Sequence, residues 1–222
     1  ILSGVMLTAS FPPGRLDWMA WIAIIPLLIS IEDERPFNAF RLGMIAGLSH
    51  YLTLIYWVLF VMNAYGGIDL FTGSAILLLF SLYLSLYPAT FSLLVRLVRD
   101  SRFVVILAAC IWVSLEYLRT ILITGFPWCL LGYSQFNRLT LIQVSDVTGV
   151  YGVSFIIAAV NALIYRIVFT RSHARGRSGL VMESSIILAL FMICAAHGIY
   201  TLRETGNDKG RETLTTSVIQ GN

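Results

Sequence analysis

The stretch W-V-S-L-E-Y-L-R-T-I-L-I-T-G-F-P-W-C-L-L-G-Y-S-Q occupies residues 112–135. Its first half reads as an apolar helix that carries Glu116 and Arg119. Its second half reads as a loop with Thr124, Gly125, Phe126, Pro127 and Trp128, then Gly132, Tyr133, Ser134 and Gln135. Ionised groups inside an apolar helix are costly, so they face protein or water and find a partner. Glu116 and Arg119 lie three apart on one helix face and are expected to form a structural charge pair. Gly125 supplies backbone freedom at the helix exit, and Pro127 stops the helix. Trp128 and Tyr133 are of the types that settle at a membrane–water boundary. A charged helix thus delivers a rigid, aromatic and polar loop to one membrane face. The rest of the chain reads as the bundle that holds this loop.

Composition supports that reading. Hydrophobic residues make up 58% of the chain and charged residues 12%, against about 25% charged in soluble domains. A soluble core of this size could not hide so much apolar side chain. The net charge is +3, and Lys209 is the only lysine. No basic face with interleaved aromatics appears, which argues against a nucleic-acid partner. Three cysteines give no disulfide framework. Cys110 and Cys194 lie in apolar runs. Cys129 has no His or Lys near it in sequence to lower its pKa, so it reads as a packing residue.

Seven apolar runs are expected to span the membrane fully or partly. The first, from Ile1 to Ser10, is too short to cross and reads as a helix truncated at its start. The second, residues 18–31, contains Pro26 and falls short of the roughly 20 residues a span needs. The third, residues 40–63, is long enough and holds Gly43, Gly47 and Ser49, small residues spaced for close helix contact. His50 lies within it and reads as bonded to a neighbouring helix. The fourth, residues 70–98, should kink at Pro88. Its hydroxyls, Ser81 and Ser85 among them, either line a cavity or serve backbone groups freed by the proline, and the second reading is preferred. The fifth leads into the loop described above. The sixth begins at Gly149 and contains Asn161; the seventh runs from Leu180 to about residue 200. Cys194 and His197 share a face there, but two residues do not make a metal site. The bundle is thus expected over residues 1–201 and a linker over 202–214. Residues 215–222 alternate in the manner of a β-strand.

Loop charges give an orientation. Arg35 and Arg41, then Arg96, Arg99 and Arg102, then Arg171, Arg175 and Arg177 fall in alternate loops. Base-rich loops stay in the cytoplasm, so the organising loop and the C-terminus are expected on the opposite side.

Several motifs carry a resemblance. They are L-S-G…F-P-P…D-W in residues 2–18, S-L-Y-L-S-L-Y at 81–87 and E-Y-L-R at 116–119. T-G-F-P-W follows at 124–128, L-G-Y-S-Q at 131–135, D-V-T-G-V-Y-G-V-S-F at 146–155 and V-I-Q-G-N at 218–222. Together they resemble the membrane part of bacterial apolipoprotein N-acyltransferase, over the whole chain. The resemblance implies an all-α polytopic membrane bundle in the inner membrane. It also implies that 215–222 is the first strand of a periplasmic carbon–nitrogen hydrolase domain cut off here. That family moves an acyl chain from a phospholipid to the amino group of a lipoprotein's N-terminal diacylglyceryl-Cys. Its Glu base, Lys and thioester-forming Cys sit in the hydrolase domain. No catalytic residue, metal or cofactor is therefore expected here, and the fragment alone should be inactive. Its partners would be phospholipid, apolipoproteins, the membrane and its own catalytic domain.

Trp128, Tyr133 and Gln135 are the candidate substrate-binding residues, with Trp128 open to a second reading as an interface anchor. A polytopic transporter and a non-catalytic membrane scaffold are the competing classes. Against the transporter stand the absence of an internal repeat and of a second charged helix that could form an ion path.

Overall fold

The computed structural model describes residues 1–12, 14, 16–123, 125–169 and 177–206. The expected β-prone tail, most of the expected linker, Thr124, Arg171 and Arg175 lie outside the described residues. Every regular element among the described residues is helical. They are α1 (Leu2–Ala9), a 3-10 turn (Asp17–Trp21), α2 (Ile25–Ile31), α3 (Pro36–Leu54), α4 (Trp57–Ala64) and α5 (Leu70–Val98). Next come α6 (Val104–Ile121), a second 3-10 turn (Leu131–Gln135), the single turns α7 (Leu139–Ile142) and α8 (Ser145–Thr148), α9 (Val150–Val168) and α10 (Arg177–Gly206). Because α10 continues to Gly206, the boundary expected at 201/202 falls inside a helix.

Length and composition do not confirm all seven runs as spans, and the first two fall short of one as expected. Among the described residues four helices can cross a membrane: α5, α6, α9 and α10. The pair α3 and α4 makes a fifth if taken as one span bent by 49°. The third apolar run is therefore broken at residues 55–56. One turn earlier the Thr53 hydroxyl bonds back to Ser49 O at 2.7 Å, an arrangement that bends helices.

The second run is broken more deeply, into the first 3-10 turn and α2, with Pro26 in the first turn of α2. A break in apolar surroundings leaves backbone groups that water cannot reach, each costing several kcal/mol if unmet. Here other helices supply the partners. Asn161 of α9 is fully buried. Its Oδ1 accepts from Ile24 N–H at 2.9 Å, and its Nδ2 donates to Ala20 O at 2.8 Å. Ser3 of α1 accepts from Leu27 N–H at 2.8 Å. The polar residue inside the sixth run thus repairs the second. In α5, which remains one helix through Pro88, Ser92 donates to Pro88 O.

The α3–α5 contact is the most extensive in the bundle. A Cβ on Gly43 would stand 2.4 Å from Pro88 O, and one on Gly47 would stand 2.5 Å from the Pro88 ring. The expected role of these glycines is thereby met. Phe91, Val105, Ala109, Ile157 and Ile24 fill the core that α2, α5, α6 and α9 share.

A second buried charged pair, which the sequence was not expected to hold, joins α9 to α10. Arg166 and the fully buried Glu183 form a salt bridge. Glu183 Oε1 also accepts from Val105 and Ile106 N–H, at 3.0 and 3.1 Å, and so caps α6 from another helix. Its charge is engaged in closing a helix end. At that same end Arg96 and Arg99 donate to Glu34 O and Glu32 O, and Arg166 donates to Arg102 O. These contacts gather the arginine-bearing loops that precede α3 and α6 at one end of the bundle. The loop of residues 122–135 lies at the other.

Close α3–α5 contact yields a direct test. Gly43→Ala should lower stability in detergent by about 1–3 kcal/mol, the usual cost of overpacking, read as a lower melting temperature. An unchanged melting temperature would mean that the two helices do not approach this closely.

Candidate functional site

Helix α6 ends at Ile121, with Leu122 extended after it. Pro127 lies well beyond this end, so it shapes the loop and does not stop the helix. Gly125 has φ +74°, and a Cβ there would lie 2.3 Å from Thr120 O, so the turn out of the helix requires glycine. Phe126 N–H returns to Arg119 O at 2.8 Å and closes that turn. Cys129 also has positive φ, at 58°. A non-glycine residue in that region is uncommon and is held there by its surroundings.

Glu116 and Arg119 do share one buried face of α6. They do not bond to each other, which corrects the expected direct pair. Their side chains diverge. Glu116 Oε1 accepts from Leu131 N–H at 2.7 Å and from the Trp112 indole at 3.0 Å. Arg119 donates to the Tyr51 hydroxyl of α3, and its Nη2 reaches Trp128 O at 3.3 Å and Cys129 O at 3.2 Å. The carboxylate thus holds the first amide of the second 3-10 turn, while the guanidinium holds the carbonyls just before it. Ser154 of α9 takes the next amide, Gly132 N–H, at 2.9 Å. Two charges three residues apart grip successive backbone groups of one loop from below.

Gln135 is corrected too. It is fully buried. Its Nε2 donates to Asp17 O and Ser134 Oγ, each at 2.9 Å, and its Oε1 accepts from the Trp21 indole at 3.1 Å. With both ends of its amide engaged, Gln135 ties the two 3-10 turns together and offers no exposed surface to a ligand.

Trp128 and Tyr133 are exposed, by 54% and 46%. Trp128 does not stand alone. Its ring lies 5.7 Å from that of Trp57 on α4 and 5.6 Å from that of Phe126, which meets Phe80 of α5 edge-on at 5.0 Å. The bend between α3 and α4 brings Trp57 there. Trp57, Phe80, Tyr51 and Ser154 all belong to the site, yet sequence reasoning missed that role for each. Nothing local to 112–135 points to them; only the fold brings them in.

Beneath the loop lies a cleft walled by α1, α2, α3, α5 and α6 and roofed by Cys129 and Leu131. Its cavity volume is about 40 Å³. Leu7, Phe11, Ile24, Leu27 and Phe91 make it mostly apolar, while Glu116, Arg119 and His50 give it a polar part. His50 Nδ1 meets the Thr8 hydroxyl of α1 at 3.0 Å, the interhelical bond expected of it. Burial pushes the Cys129 thiol up, against a smaller downward pull from Arg119. His197 turns away from Cys194 to Asp146, 3.0 Å away.

Stability should report this arrangement. Glu116→Leu leaves the buried Leu131 amide and the Trp112 indole without an acceptor, and should cost about 1–3 kcal/mol for each donor left unmet. Exchanging the two residues (Glu116→Arg with Arg119→Glu) should give no rescue, because their partners lie in different directions. Recovery of the melting temperature in the exchanged protein would restore the direct-pair reading.

Comparison with known proteins places the chain in a family. The profile of the apolipoprotein N-acyltransferase N-terminal domain matches residues 3–163. An apolipoprotein N-acyltransferase of Geobacter metallireducens is 37% identical over 223 residues, covering 100% of this chain and 42% of the relative. One from Wigglesworthia glossinidia brevipalpis is 33% identical over 174 residues, 77% of this chain and 35% of the relative. One from Chlorobaculum tepidum is 27% identical over 224 residues, 99% and 40%. The chain thus spans only 35–42% of the length of these curated relatives. The match takes in α1 through most of α9, including every residue that grips the loop, and the chain belongs to the apolipoprotein N-acyltransferase N-terminal domain family.

Proposed function

We propose that this chain is the membrane part of a bacterial acyltransferase that moves an acyl chain from a phospholipid to the N-terminal diacylglyceryl-Cys of a lipoprotein. The bundle holds a catalytic domain at the inner membrane and admits lipid to it. The arginine-rich end faces the cytoplasm by the positive-inside rule, and the loop of residues 122–135 faces the periplasm. Both reactants are lipids with heads at that face. Confining them to one place removes much of the entropic barrier to their reaction.

One observation carries this reading. An exposed aromatic loop, fixed by buried charges, stands directly over an apolar cleft that reaches into the bundle. A loop that merely anchors would need neither the grip from below nor the cleft. In this reading Trp128 and Tyr133 contact substrate, and Trp128 does so from a platform of Trp57 and Phe126.

Substitution at Trp128 separates the two roles. If Trp128 is an anchor, Trp128→Phe and Trp128→Ala in the full-length enzyme should both transfer acyl chains normally. If it packs on lipid, Trp128→Ala should reduce transfer about tenfold, the equivalent of the ~1.4 kcal/mol that a good aromatic contact contributes. Mass spectrometry of the acylated cysteine measures both steps, thioester formation and transfer to lipoprotein. Wild-type rates in both steps for a well-folded Trp128→Ala protein would reduce Trp128 to an interface residue.

A further inference from the structure

The guanidinium of Arg119 holds the loop, but few groups hold the guanidinium. Its Nη2 donates to the Trp128 and Cys129 carbonyls, at 3.3 and 3.2 Å. Its buried Nε has no hydrogen-bond partner. Among the described residues, the Tyr51 hydroxyl that accepts from Nη1 is therefore the one hydrogen bond that orients the planar fork from outside the loop. Without that hydroxyl, Arg119 is tethered only by the groups it has to hold.

Tyr51 is itself well fixed. It is buried on α3, and its ring centre lies 5.6 Å from the guanidinium carbon. Its carbonyl accepts from Ile55 N–H at 3.0 Å and closes the end of α3. The chain then breaks, and α4 begins at Trp57, whose ring meets that of Trp128 at 5.7 Å. One loop thus touches the α3–α4 break on both sides: through Arg119 before it and through Trp128 after it. α4 has no buried residue of its own, so its contact with Trp128 depends on where the loop stands. A supporting group that lets a site slip by about 1 Å is enough to spoil it.

We propose that Tyr51 is a positioning residue for Trp128. Acting through Arg119, its hydroxyl sets the loop so that the Trp128 ring rests against Trp57 across the α3–α4 break. Its effect on acyl transfer rests on the acyl-contact reading of Trp128 above; its effect on the loop does not.

Tyr51→Phe removes the hydroxyl and keeps the ring. The full-length enzyme is placed in nanodiscs and alkylated with N-ethylmaleimide, and each cysteine is followed by peptide mass spectrometry. Cys129, whose carbonyl Arg119 holds, reports on the loop; exposed Cys110 and buried Cys194 are controls. Tyr51→Phe should speed alkylation of Cys129 about tenfold, the loss of one hydrogen bond to a charged group, with both controls unchanged. An unchanged rate at Cys129 overturns the proposal. So does equal acceleration at Cys194, which would mark general loosening of the bundle. Acyl transfer supplies the second readout. If Tyr51 acts through Trp128, Tyr51→Phe combined with Trp128→Ala should transfer no more slowly than Trp128→Ala alone. Losses that multiply would give Tyr51 a separate role and overturn the proposal. Normal transfer by Trp128→Ala would end the acyl-contact reading of Trp128, and alkylation of Cys129 would then decide the proposal by itself.

Discussion

The hydrogen bond from Leu131 N–H to the Glu116 carboxylate is the contact on which the site depends. An apolar medium offers no water to a loop's backbone, so each N–H and C=O there must find a partner within the protein. Regular helices meet this demand by themselves. A chain that leaves helical geometry must borrow partners, and this bundle does so repeatedly. Glu116 and Ser154 serve the second 3-10 turn, Asn161 and Ser3 serve the break before α2, and Glu183 closes the start of α6. Each of the five buried side chains lies on a different element from the backbone it satisfies.

The geometry of the loop follows from where those breaks occur. The loop after α6 is fixed at consecutive points by groups below it, so its upper surface can present Trp128 and Tyr133 without drifting. Arg119 contributes twice. Its bonds to the Trp128 and Cys129 carbonyls hold the loop down, and its bond to Tyr51 ties the loop to α3. The bent α3–α4 pair then places Trp57 against Trp128. Rigid aromatic surface lies above and apolar side chains line the space beneath.

Much of this was legible in the sequence. A carboxylate and a guanidinium in an apolar helix, followed by Gly125, Pro127 and Trp128, marked the right helix and loop. Gly43 and Gly47 marked the right packing face, because small residues at helical spacing have few other uses in a membrane. What could not be read was the identity of each polar partner. The spacing of Glu116 and Arg119 suggested each other, yet their bonds go to Leu131, Tyr51 and the loop carbonyls. Gln135 looked available because it is polar and near Trp128, whereas Asp17 and Trp21, more than a hundred residues earlier, engage it. Where the apolar runs break could not be read for a related reason. Hydropathy records that a run is apolar, but not that it breaks before Ile25 or at Tyr56. The side chains that make such breaks tolerable belong to other helices.

Amide hydrogen exchange at Leu131 tests the central contact most directly. In the wild-type protein in detergent, Leu131 N–H should exchange slowly, at a rate close to that of the α9 core around Ile157. In Glu116→Leu it should exchange at least about tenfold faster, consistent with loss of a charge-assisted hydrogen bond of about 1.5–3 kcal/mol. The Ile157 region should stay unchanged. Equal exchange at Leu131 in both proteins would contradict the claim that Glu116 holds the loop.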